Sequence, residues 1–74
     1  MSLITELSSL KKEINEIFNS NMSWELKYDL IFSEKLSQQV FELVDLDYYD
    51  PDTTYEEDVT AFVKALNDKC QDLS

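Results

Sequence analysis

Trp24-Glu25-Leu26-Lys27-Tyr28-Asp29-Leu30-Ile31-Phe32 admits two readings, and the fold class turns on which one holds. Trp24, Leu26, Tyr28, Leu30 and Phe32 alternate with Glu25, Lys27 and Asp29, the period of a half-buried strand. The same stretch also offers Trp24, Tyr28 and Ile31, which continue through Leu36, Val40, Leu43 and Val44 at helical spacing. A strand would need a partner. The chain has no glycine, so a glycine hairpin turn that could supply one is excluded. The helical reading is preferred, as one helix over roughly 24–44. Leu26, Leu30 and Phe41 then lie partly off its main face, placed to touch another element or another subunit.

The flanks are clearer. Leu3, Leu7, Leu10, Ile14 and Ile17 recur at steps of four and three, with Ile4 and Phe18 widening the stripe, so residues 3–18 read as a core-facing helix. Asn19, Ser20, Asn21 and Ser23 break it, and Ser23 is placed to cap the next helix. Towards the other end, Pro51 stops what precedes it, and Thr54 followed by Glu57 fits a capping box. Glu56, Glu57 and Asp58 fall in the first turn, where the helix dipole favours negative charge. Val59, Phe62, Val63, Leu66, Cys70 and Leu73 form one apolar face, so Cys70 reads as a small buried hydrophobe. The expected fold is all-α: residues 1–74 as a single domain, a small three- to four-helix bundle with a short acidic segment before the last helix.

Composition narrows the function. A chain of 74 residues buries only about 60% of its unfolded surface, so stability should be modest unless it self-associates. A hydrophobic content of 43% argues against global disorder despite a net charge of −10. There is no histidine, the commonest general base, and no glycine for a phosphate-cradling loop. Such a negative charge repels a nucleic-acid backbone, so direct nucleic-acid binding is not expected. No apolar run approaches a membrane span, and no basic, apolar leader is visible. A lone cysteine fits a reducing cytoplasm.

The charge is not evenly spread. Residues 45–58, DLDYYDPDTTYEED, hold seven acids and no base, and so carry −7 of the −10. Tyr48, Tyr49 and Tyr55 are interleaved with them. Acids alone would make a solubilising loop; tyrosine adds large contact area at low entropic cost. The candidate partner-binding residues are therefore Asp45, Asp47, Tyr48, Tyr49, Asp50, Asp52, Tyr55 and Glu56, although one of the paired tyrosines could simply plug the end of the bundle. A calcium loop counted from Asp45 places Asp47 and Glu56 correctly, but Tyr49 and Asp50 fall where an oxygen ligand and a glycine are needed. No metal, cofactor or catalytic residue is expected; the cysteine has no histidine to activate it.

The order of two long helical stretches, Asp45-Leu46-Asp47-Tyr48-Tyr49, Pro51 and a final helix resembles the immunity proteins of DNase colicins and pyocins. The resemblance covers about five residues and the helix order. It departs from the family at Asp47, at Asp50 and in lacking the glycine turn. It implies that Asp45, Tyr48 and Tyr49 dock on a nuclease, with Glu34 and Glu42 as specificity positions.

Two functional classes follow. In the first, the chain is a non-enzymatic inhibitor whose carboxylates occupy the cationic groove of a basic nuclease or DNA-binding protein, as an immunity protein or a DNA mimic. In the second, it is a self-associating structural or regulatory helical module, a possible homodimer through the seam of Leu3 to Ile17, and the acidic segment only solubilises it.

Overall fold

The computed structural model describes residues 3–46, 48 and 53–73. Four helices are present: α1 Leu3–Phe18, α2 Trp24–Ile31, α3 Ser37–Leu43 and α4 Tyr55–Leu73. The described residues contain no strand. The architecture is a small all-α bundle in which α4 packs on α1 and α2, and α1 also meets α2 and α3.

α1 and α4 form where the apolar periodicity places them. Leu7 and Ile14 of α1 are buried against Val59, Phe62, Val63 and Leu66 of α4. Burying one such side chain stabilises by about 1.5–3 kcal/mol, which outweighs any propensity difference along these helices. An amide pair ties the two together: Asn15 Nδ2 donates to Asn67 Oδ1 at 3.0 Å, and Asn67 Nδ2 donates back to Asn15 Oδ1 at 3.2 Å. Leu3 and Ile4 remain exposed at the start of α1.

The corner between α1 and α2 is built from polar groups. The Ser23 hydroxyl accepts from the Leu26 N–H at 3.3 Å, so Ser23 is the N-cap of α2. Lys27 is buried, and its ammonium donates to the Phe18 carbonyl at 2.7 Å, satisfying an orphan acceptor at the end of α1. The same ammonium lies 4.2 Å from the Trp24 ring centroid and 5.9 Å from that of Phe18. Positive charge at a helix C-terminus and over aromatic faces is favourable on both counts.

The single helix over 24–44 is not what forms. α2 ends at Ile31 and α3 begins at Ser37, with a turn between them. No glycine or proline causes this break. Ser33 Oγ donates to the Leu30 carbonyl at 2.9 Å, and Ser37 Oγ donates to the Ser33 carbonyl at 3.3 Å, so serine side chains serve acceptors that a continuing helix would use. Packing supplies the drive. Ile31 and Leu36 are five residues apart, which on one helix would point them about 140° from each other. Breaking the helix lets both reach the core, where Ile31 is fully buried and Leu36 nearly so.

Candidate protein-binding site

The start of α4 positions the site. Thr54 Oγ1 accepts from the Glu57 N–H at 3.1 Å, which fixes the first turn. The Glu57 carboxylate accepts from the Thr53 hydroxyl. That orientation leaves Tyr55 and Glu56 exposed and turns Asp58 inward, where it is 7% exposed.

Asp58 is one of few buried charged groups, and its partner is Tyr48, whose hydroxyl donates to Asp58 Oδ1. Tyr48 is half-buried, and its ring meets Phe62 edge-on at 5.6 Å. Tyr48 thus closes the end of the bundle, holding the segment that follows α3 against α4. Burial pushes the Asp58 carboxyl above its ordinary value of 3.8. A carboxyl harder to ionise in the fold than in the unfolded chain opposes folding while it is ionised. That penalty fades as pH falls through the raised folded value and is gone below 3.8. Against an Asp58→Asn variant, which lacks this dependence, the wild type should therefore gain relative stability between pH 7 and pH 4. Urea midpoints of both proteins at the two pH values check this; a constant difference would refute it.

Fully buried Phe62 is the hub of a larger arrangement. Phe32, Phe41 and Tyr48 surround it with ring centroids 5.0, 5.7 and 5.6 Å away. The outer rings also meet each other in sequence: Phe41 to Tyr48 at 6.5 Å, Tyr48 to Phe32 at 6.1 Å, Phe32 to Tyr28 at 4.8 Å, and Tyr28 to Tyr55 at 5.0 Å. The result is a continuous strip of five rings drawn from α2 and the residue that caps it, from α3, from the segment before α4 and from the start of α4. Its two ends are open, with Phe41 45% and Tyr55 49% exposed. Exposed Glu42 follows Phe41 in the chain, with exposed Asp45 four residues after Phe41, and exposed Glu56 follows Tyr55.

The sequence-derived candidates distribute as follows. Asp45, Tyr55 and Glu56 are exposed, while Tyr48 is half-buried with its hydroxyl engaged by Asp58. Asp47, Tyr49, Asp50 and Asp52 lie outside the described residues. Tyr28, Phe32 and Phe41 join the site without having been expected there. The only hint was that Phe41 sits off the main apolar face; the contacts that recruit it are tertiary.

Elsewhere, a groove of about 1080 Å³ runs between α1 and α4, lined by Ile4, Lys11, Lys12, Asn15, Asn67 and Cys70 among others. Cys70 is half-buried against the core, and burial raises its thiol pKa while nearby Lys11 lowers it. Among the described residues no three or more histidine, cysteine or acidic side chains are grouped to hold a metal ion. No helix among them is long and apolar enough to cross a membrane.

No known protein family matches this chain, and no curated protein or solved structure is similar to it. The likeness to DNase immunity proteins therefore stands on the few residues quoted for it. What the site does must be argued from its own chemistry.

Proposed function

We propose that this protein is a non-enzymatic acidic binder that neutralises a basic nucleic-acid-acting protein, a nuclease or a DNA-binding protein, in the cytoplasm. One observation carries the reading. The stretch of sequence holding seven acids and no base contributes two rings, Tyr48 and Tyr55, to an aromatic strip open at both ends. Carboxylates without rings would attract cations without holding a particular one; rings supply the anchors about which a specific interface forms. Carboxylates spaced along Asp45–Asp58 would fill the partner's cationic groove and speed encounter. An immunity protein and a DNA mimic are two versions of this reading.

The test is capture from a lysate of the source at near-physiological salt. A stoichiometric basic nuclease or DNA-binding protein should be retained, then lost when Asp45 and Glu56 are both changed to lysine. Retention unaffected by the reversal would remove the site assignment.

A self-associating module is the second reading. It draws on Leu26 and Leu30, 44% and 39% exposed one turn apart on α2. Its other support is weaker, because Leu7 and Ile14 of the α1 seam are already buried by the chain's own core. Sedimentation at micromolar concentration separates the two, since a monomer leaves only the first.

A further inference from the structure

Resting on the reading just given, we infer that the aromatic strip selects arginine over lysine, so that the partner's docking segment is an arginine-bearing one. Long-range attraction to the acidic surface is the same for the two cations, and a carboxylate favours arginine only through the fork of hydrogen bonds it can accept. The rings distinguish them as well. A guanidinium is planar, weakly hydrated and stacks on an aromatic face while still donating a fork of hydrogen bonds at its edge. An ammonium is a compact, strongly hydrated point charge that gives up less water to reach a ring.

Each open end of the strip supplies the ring half of that recognition, and acidic residues follow each ring in the chain. Phe41 and Tyr55 are exposed rings; along the chain exposed Glu42 follows Phe41 and exposed Asp45 comes four residues after it, while exposed Glu56 follows Tyr55. These rings are held at fixed positions. Phe41 rests on Phe62 at 5.7 Å, and Tyr55 on Tyr28 at 5.0 Å, so neither must be ordered when a partner arrives. Tyr48, between them, has its hydroxyl committed to Asp58 and contributes only ring surface. Two exposed rings give two stacking positions, so the docking segment is one that carries at least two arginines.

The experiment compares two peptides of equal length and charge, one with arginine and one with lysine at every basic position, titrated by calorimetry at near-physiological salt. The wild type should bind the arginine peptide about 10-fold tighter. Changing Phe41 and Tyr55 together to leucine keeps bulk and folding but removes the π faces; it should bring the arginine affinity down to the lysine value. Changing Asp45 and Glu56 to lysine should weaken both peptides. Equal affinities in the wild type, or a preference surviving in the leucine variant, would overturn the inference while leaving the basic-partner reading standing. A protein that captures its basic partner yet binds neither peptide would overturn it as well. Failure of the capture itself would instead strike the underlying reading.

Discussion

Phe62→Ala should remove about 4 kcal/mol of folding stability, the usual range for deleting a buried phenylalanine being about 3–5. A domain of this length has about 4–11 kcal/mol in total, so this one change should remove between about a third and all of it. Two effects add here. The side chain is completely buried among rings from the end of α2, from α3 and from the segment before α4, and a cavity there cannot close without moving one of those elements. Phe32, Phe41 and Tyr48 would also each lose an aromatic neighbour, and such pairs are worth about 0.5–1.5 kcal/mol beyond area. Urea unfolding followed by circular dichroism reads the result. A loss below about 1 kcal/mol would mean that the rings do not converge on this residue.

Lys27→Ala should cost about 3 kcal/mol, although a lysine on a helix is normally among the cheapest residues to replace. The substitution leaves the Phe18 carbonyl without its donor, and a hydrogen bond to a charged group is worth about 1.5–3 kcal/mol. It also removes the cation held over Trp24 and the buried stem. Burying the ammonium has its own desolvation cost, which opposes these gains. Lys27→Met separates the contributions, because methionine retains most of the stem. It should cost about 1–2 kcal/mol if the hydrogen bond and ring contact outweigh desolvation. A methionine variant as stable as the wild type would show that desolvation cancels them.

How far the sequence revealed all this depended on what carried each signal. α1 and α4 span 16 and 19 residues, long enough for their periodicity to be unambiguous, and the Thr54 cap was marked by residue type. The break between α2 and α3 left a fainter trace, the five-residue step from Ile31 to Leu36, with no glycine or proline to announce it. A helix that breaks to bring two apolar residues into one core obeys tertiary packing over local preference. The site was half legible. Asp45, Tyr55 and Glu56 could be picked out by charge and residue type, and they are exposed. Asp58 read as a first-turn acid and lies in the first turn of α4; its burial and its bond to Tyr48 had no local sign. Nothing local indicated that Phe41 and Tyr28 would flank Tyr48 and Tyr55, because those neighbours are set by how three helices meet.

The strip's dependence on Phe62 also divides the surface by how freely it can change over generations. Its inner rings are shared with the core, so altering Phe32 or Tyr48 disturbs folding as well as contact. The exposed carboxylates at Glu42, Asp45 and Glu56 are outside the core and can be exchanged at little cost to the fold. Under the proposed function, a change in the partner's surface would be met by keeping the aromatic scaffold and rewriting the acids around it, so that new specificities arise as edits to the rim.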